Sequence, residues 1–369
     1  MSTAVVSTAV TDPRFESVYD VLRKAIAEQA FPGCAFGVFS RGQVVLLDAL
    51  GRFTYEEDAP RVEPGTVFDL ASVSKVVATT AMAMLLFQRG QLDVDAPLGS
   101  ILPQFVANRA QDAVEHTVTL RHLLAHNSGL AGYVEFFRTT SNAAQLLQTC
   151  YSLNLQASPG SRYEYSDPGF ILLGKALEKL AGVDLQTFFT QEIAAPLGLT
   201  TARYCPPEVE KSKIPPTEVD TWFRHRRIQG EVQDENACLL GGICGHAGLF
   251  ANTADLMRFS AEVLEAARAG GQPKIFAPET LQFFAKKQAP EGSSRALGWD
   301  TPSLNSSSGQ YYSVLSLGHL GYSGCSLWID LEAQVAIALL TNRTWPDRGS
   351  QKIKILRPLF HDAARGALF

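Results

Sequence analysis

The stretch Ser72-Val73-Ser74-Lys75-Val76-Val77-Ala78-Thr79-Thr80-Ala81-Met82-Ala83-Met84-Leu85-Leu86-Phe87-Gln88-Arg89-Gly90 decides how the rest of this chain is read. Its Ala, Met and Leu content predicts a helix that begins near Ser72, and Gly90 marks its stop. A serine hydroxyl is a poor nucleophile at neutral pH and needs an adjacent base. Residues three apart share a helix face, so Lys75 reaches the Ser72 hydroxyl. Burial of Lys75 is expected to lower its pKa and leave a neutral amine able to accept the serine proton. The helix start also offers unpaired backbone N–H groups to an oxyanion formed at Ser72. A Ser-x-x-Lys tetrad arises roughly once by chance in a chain of this length, so its partners decide its weight.

Two later motifs supply them. Tyr165-Ser166-Asp167 lies within RYEYSDPGFILLG, and His319-Leu320-Gly321 within LSLGHLGYSGCSLWIDLE. In that order, Ser-x-x-Lys, a Tyr-x-Asn-like triplet and a Lys/His-x-Gly triplet on a strand resemble the penicillin-recognising serine hydrolases. That family includes class C β-lactamases, DD-peptidases, family VIII carboxylesterases and related amidases. Segments 119–130, 240–259 and 339–346 are also similar to stretches of these proteins, so the resemblance spans nearly the whole chain. It implies an α+β, β-lactamase/transpeptidase-like fold: an antiparallel sheet flanked by helices, a mostly helical subdomain, and an active site at their junction.

The resemblance also implies roles. Ser72 attacks the acyl carbon, Lys75 handles its proton, and Tyr165 serves as base and then as acid. The N–H groups of Ser72 and Tyr322 form the oxyanion hole, each worth about 3 kcal/mol of barrier. Asp167, His319, Gly321 and Arg343 are the expected substrate-binding residues, with Gly321 letting substrate approach the strand. Two positions depart from the family pattern. Asp167 stands where an asparagine is usual; a carboxylate only accepts hydrogen bonds, favours a charged Lys75 and repels acidic substrates. His319 replaces a lysine and is mostly neutral at pH 7, so it anchors a substrate carboxylate less firmly. Arg343 and Arg348 are the candidates for the missing positive charge.

With 369 residues, 46% hydrophobic and 19% charged, the chain has ample material for a core and falls in the globular range. A net charge of −5 with scattered basic residues disfavours a nucleic-acid partner. The one basic cluster, Arg224-His225-Arg226-Arg227, reads as a solvated loop. The N-terminal MSTAVVSTAVTDPRFE has no Lys or Arg before a short, weakly apolar stretch, unlike a secretory signal. No run approaches the roughly 18 apolar residues needed to cross a bilayer. A cytoplasmic location, or loss of a leader, is the expectation. The six cysteines form no CxxC pair and are expected to be reduced thiols.

Along the chain, 14–29 carries apolar residues at helical spacing, and CAFGVFSRGQVVLLDALGRF reads as two strands around Ser40-Arg41-Gly42. Helical patterns dominate roughly 70–285, strands return in YYSVLSLGHLG, CSLWIDLE and QVAIALLTN, and a helix containing Pro358 closes the chain. The expected organisation is a sheet subdomain from 1–66 and 286–369 with a mostly helical subdomain, 67–285, carrying Ser72, Lys75 and Tyr165. Loops 206–236 and 286–310 are expected to line the cleft between them.

His122 and His126 are four apart, but HLLAH lacks the glutamate of His-Glu-x-x-His, and no metal site is expected. His246 reads equally as packing or as a site residue. No Gly-x-Ser-x-Gly elbow and no phosphate loop are present. The resemblance, with the departures at Asp167 and His319, implies a cofactor-free carboxylesterase on small acyl esters, similar to the family VIII carboxylesterases. A DD-peptidase or amidase on cell-wall peptides, a weak β-lactamase, and a non-catalytic binding module are the alternatives. The expected partner is a small acyl substrate, without nucleic acid or membrane; the oligomeric state is left open.

Overall fold

A computed structural model describes residues 12–369; the reading of the N-terminal stretch as unlike a secretory signal falls mainly on residues 1–11, outside the described residues. After helix α1 (Glu16–Ala27), strands β1 (Gly33–Ser40) and β2 (Gln43–Gly51) form the expected hairpin. Arg41 and Gly42 both take positive φ, 51° and 83°, as a two-residue turn matched to strand twist requires. β3 (Phe68–Asp69) leads into α2 (Ala71–Gln88), and α3 (Asp167–Ala181) follows in the middle of the chain. Short strands β4 (Arg203–Tyr204), β5 (Glu218–Asp220), β6 (Arg226–Ile228) and β7 (Leu249–Ala251) precede α4 (Thr253–Ala267). β8 (Ser316–Leu320), β9 (Ser326–Asp330), β10 (Val335–Thr341) and α5 (Ile353–Gly366) complete the chain.

The main sheet runs β2-β1-β10-β9-β8, antiparallel throughout. β1 and β10 are interior strands, which explains why GCAFGVFS and VAIALLT are almost continuously apolar instead of alternating. One face packs under α1 and α5, where Tyr19, Phe36, Trp328 and Phe360 are buried. The other face carries Ala35, Leu327, Ile329 and Ala338 and packs under α4. Burying each large side chain stabilises by about 1.5–3 kcal/mol. α4 thus lies on the sheet although it comes from the 67–285 segment. β8 is left as an edge, and that edge faces the site.

α2 is the one element among the described residues long and apolar enough to cross a membrane, but 83% of it is buried inside the fold. Its apolarity serves the core, against α3 and the Pro278–Phe284 helix. α3 is well delimited: the Ser166 hydroxyl accepts from the Gly169 N–H at 3.0 Å, and Gly182 ends the helix at φ 73°. All six cysteines are unpaired.

The 206–236 segment is more ordered than its composition suggests. β5 and β6 pair as a hairpin, and Arg224 is no solvated loop residue. Its side chain is 7% exposed, pairs with Asp220 at 3.0 Å, and donates to the carbonyls of Val232 and Gln233. A guanidinium can satisfy several acceptors at once, so this arginine pins the segment that borders the site.

Candidate active site

Ser72 is presented by a strained turn. Between β3 and α2, Ala71 takes φ 46°, a conformation costly for a residue with a Cβ. The Asp69 carboxylate holds it there, accepting the Ala71 and Gln233 N–H groups, each at 2.8 Å. Burial pushes Asp69 up to about 6. Ser74 ties the same turn to β7, its hydroxyl accepting from the Leu249 N–H at 3.0 Å.

Lys75 is fully buried, and its three ammonium donors meet three acceptors: Ser72 Oγ at 2.9 Å, Asp167 Oδ1 at 2.7 Å and the His246 carbonyl at 2.9 Å. The expected neutral amine is not what this geometry favours. Burial does work against the charge, but the Asp167 carboxylate and Tyr165 outweigh it and hold the Lys75 pKa above 10.5. Tyr165 shifts upward too, because burial outweighs the nearby ammonium. At rest the pair is an ammonium and a neutral phenol, with Lys75 Nζ 4.9 Å from the Tyr165 ring centroid.

Tyr165 is set by α3 and by a histidine. Ser166 donates its N–H to His126 Nδ1 at 2.9 Å and its hydroxyl to the Ala131 carbonyl at 2.7 Å. The His126 ring lies 4.5 Å from Tyr165 and 4.8 Å from Phe170. Burial keeps His126 well below 6.5, so it is a neutral acceptor that orients the Tyr165 backbone. His122 faces elsewhere, with its Nδ1 accepting from the Thr119 N–H at 3.1 Å; the two histidines do not converge on a point a metal would occupy.

β8 brings His319 to the opposite wall, with its ring centroid 5.8 Å from that of Tyr165. His319 Nδ1 meets the Leu320 carbonyl at 2.9 Å and therefore carries the proton. Burial, with Arg295 and Lys75 nearby, holds His319 well below 6.5. Gly321 lines the cleft, and a Cβ there would stand 2.5 Å from the Leu70 carbonyl. Its smallness lets the end of β8 close onto the turn bearing Ser72. The following loop is clamped by Arg357, which donates to the Gly321, Gly324 and Cys325 carbonyls, and by Ser323 Oγ, which donates to the Asp69 carbonyl at 2.8 Å. Tyr322, which follows Gly321, lines the same cleft as Ser72.

Arg343 lines the cleft, but its guanidinium turns to the carbonyls of Tyr322, Ser350 and Arg348 at 2.8, 3.0 and 3.3 Å. Arg348 pairs with Glu218 and Glu235. Those two glutamates and Asp220 are close enough to share a cation, and Arg348 and Arg224 already fill that role. Sequence reasoning left His246 undecided and passed over Asp234. His246 Nε2 meets Asp234 Oδ1 at 2.8 Å. Burial opposes charge on His246, but Cys244 and Asp234 raise its pKa well above 6.5, while His246 overcomes burial to bring Asp234 down to about 2. This ion pair fixes the loop whose carbonyl receives Lys75.

Together these groups border a cleft of about 890 Å³ with Ser72, Tyr165, Asp167 and His319 in its wall and Tyr133, Phe137, Trp222 and Tyr322 around them. Loops 206–236 and 286–310 contribute Trp222, Asp234, Arg295 and Asp300.

Residues 18–358 match the beta-lactamase family, and the chain belongs to it. The fold is of the β-lactamase/transpeptidase type, and members of the family are serine hydrolases. Among its relatives, a protein of Escherichia coli O157:H7 named "Putative D-alanyl-D-alanine carboxypeptidase" is 28% identical, covering 86% of this chain and 79% of its own. The N-acetylmuramyl-L-alanine amidase of Bacillus subtilis (strain 168) is also 28% identical, over 89% of this chain and 81% of its own. Among solved structures, EstCE1, a hydrolase with promiscuous acyltransferase activity, superposes with a TM-score of 0.77 at 22% identity, covering 95% of this chain and 98% of its own.

Proposed function

We propose that this chain hydrolyses small acyl esters through an acyl-enzyme on Ser72. The observation that carries the reading is Ser72 Oγ held 2.9 Å from a fully buried Lys75, in the wall of an open cleft shared with Tyr165. Because Lys75 is held as an ammonium, it acts as a fixed positive charge and Tyr165 moves the proton. As Ser72 Oγ bonds to the acyl carbon, the Tyr165 proton moves to the departing alkoxide oxygen while the Ser72 proton moves onto the Tyr165 oxygen, so the phenol is restored as the carbon–alkoxide bond breaks. Lys75 stabilises the phenolate character that develops between the two transfers. The Ser72 and Tyr322 N–H groups receive the carbonyl oxygen as it becomes an oxyanion. Water reverses the relay: its proton goes to Tyr165, the Tyr165 proton returns to Ser72 Oγ, and the acid is released. The reading needs a small-molecule acyl substrate and no cofactor.

A neutral His319 suits esters better than anionic β-lactams. A second reading, cleavage of amide bonds in cell-wall peptides, is favoured by a Tyr165 that is protonated at rest, since an amine leaves only with a proton. The names of the two relatives agree with it. Turnover of p-nitrophenyl butyrate by the wild type and by Ser72→Ala tests the first reading, with a D-alanyl-D-alanine peptide and a muropeptide assayed alongside. Ester turnover that collapses in the variant is the expected outcome. Equal rates in both proteins would overturn Ser72 as nucleophile, and turnover of the wall substrates alone would transfer the assignment to the second reading.

A further inference from the structure

Asp69, just ahead of Ser72 in the chain, ties together three segments that meet at the cleft. It is 2% exposed, and both carboxylate oxygens are committed: Oδ1 accepts the Ala71 N–H and Oδ2 the Gln233 N–H, each at 2.8 Å. The first bond holds the turn in which Ala71 keeps φ 46° and Ser72 follows. The second reaches 164 residues along the chain, to the loop whose next residue is Asp234. The Asp69 carbonyl makes the third connection, accepting from Ser323 Oγ at 2.8 Å in the loop that follows Gly321.

Two N–H donors on two oxygens leave no place for a proton. An ionised carboxylate only accepts, whereas a protonated one presents an O–H on one oxygen. That O–H would face an N–H, donor against donor, so either the Ala71 or the Gln233 bond must open. Ala71 carries a Cβ, and its positive φ persists only where the surroundings impose it. Burial favours the proton and is the main reason that Asp69 rises to about 6; the two N–H groups and Arg224 pull the other way, and Asp234 adds to the rise. The neighbouring groups change charge elsewhere. Asp234 lies at about 2 and His246 well above 6.5, while His126 and His319 lie well below 6.5. Lys75 and Tyr165 both shift upward. Burial pushes Cys325, whose Sγ meets the Asp69 carbonyl at 3.5 Å, up to about 11 and brings Arg357 down to about 10.

We propose that Asp69 is a positioning residue whose carboxylate has to be ionised for Ser72 to be presented, so that one proton taken up there switches the nucleophile off and sets the acid limit of activity. This rests on Ser72 as the acyl acceptor. The effect on stability has the opposite sign. A carboxyl whose folded pKa lies above its unfolded value binds the proton more tightly in the fold, so Asp69 adds stability as pH falls from about 6 toward 3.8. Loss of activity through this group is therefore a local release and not acid unfolding.

Two measurements between pH 5 and pH 8 test it in the wild type, Asp69→Asn and Ala71→Gly: the rate at which a fluorophosphonate labels Ser72, and the amide NMR shifts of residues 71 and 233. In the wild type both amides are expected to move with one midpoint near 6, and labelling to fall about tenfold for each pH unit below it. Asp69→Asn offers one acceptor oxygen at every pH, so its labelling is expected to be slow and flat. Ala71→Gly takes positive φ without a Cβ penalty and is expected to keep more of its labelling rate at pH 5 than the wild type does. Melting temperatures report whether each variant folds; should Asp69→Asn not fold, Ala71→Gly decides, and wild-type pH dependence in it overturns the proposal. Amide shifts that stay flat in the wild type overturn it too, as does an acid fall in labelling that persists unchanged in Asp69→Asn. If Ser72 is labelled at no pH, the acyl-enzyme reading fails on its own. The amides then still decide: a midpoint near 6 that disappears in Asp69→Asn supports the role of Asp69, and one that persists overturns it.

Discussion

Asp167→Asn is the most informative single change. The substitution keeps the shape and removes the carboxylate that stands 2.7 Å from Lys75 Nζ. Breaking a buried ion pair costs about 3–5 kcal/mol when the partner stays charged. Lys75 has an escape, because it can fold as a neutral amine once Asp167 no longer offsets burial. Deprotonating a lysine with an ordinary pKa of 10.5 costs about 1.4 kcal/mol per pH unit. The loss is therefore capped near 5 kcal/mol at pH 7 and near 2 kcal/mol at pH 9. The sign follows from linkage. In the wild type a raised Lys75 pKa gives stability that is fully present below 10.5 and fades as pH rises through the folded value. In the variant the folded value falls below 10.5, so stability recovers as pH rises. A pH-independent remainder of about 0.3–1 kcal/mol is expected from losing an acidic residue in the first turn of α3. Denaturant unfolding of both proteins at pH 7 and pH 9 measures the difference. A destabilisation that is the same at both pH values, or below about 1 kcal/mol at pH 7, would refute the claim that Asp167 holds Lys75 charged.

Two further changes probe the relay and the wall. Tyr165→Phe should lower kcat on a good ester about 10²–10⁴-fold and leave the melting temperature nearly unchanged; a loss under tenfold would remove Tyr165 from proton transfer. Gly321→Ala forces a Cβ to within 2.5 Å of the Leu70 carbonyl, so it should push β8 from the Ser72 turn and slow labelling of Ser72 by a fluorophosphonate. Labelling at the wild-type rate would show that β8 and the turn are not coupled.

The sequence carried the parts of the site that are local or repeat a family order. Ser72 and Lys75 are legible because three residues make one helix turn, and the hairpin at Arg41-Gly42 because its turn chemistry is short-range. The direction of the Lys75 shift was read both ways, down from burial and toward the charged form from Asp167, and the balance between them was not legible. It depends on Asp167, which reaches Lys75 across 92 residues, and on Tyr165 beside it. The place of Arg295 in the cleft wall was invisible for a related reason: it sits in a loop without periodicity that is bridged to β8 through Asp300. Arg224 was misread because a run of basic residues looks solvated until its carbonyl partners at Val232 and Gln233 are known. Gly321 was read for its effect on a ligand, and its close approach to the Leu70 carbonyl, which depends on the tertiary fold, was not legible.

The sheet that joins β1 and β2 to β8, β9 and β10 sets a timetable for synthesis. The contact between Ser323 and the Asp69 carbonyl spans 254 residues, about 10–50 s of translation at typical rates. A nascent chain that already displays Ser72 and Lys75 still lacks the wall that would complete an oxyanion hole. Interior strands β1 and β10 also pair with each other, so β1 waits with an open, apolar edge until the last segment emerges. That interval is when this chain is most exposed to aggregation. It is also when a nascent Ser72 is shielded from premature chemistry simply by being incomplete.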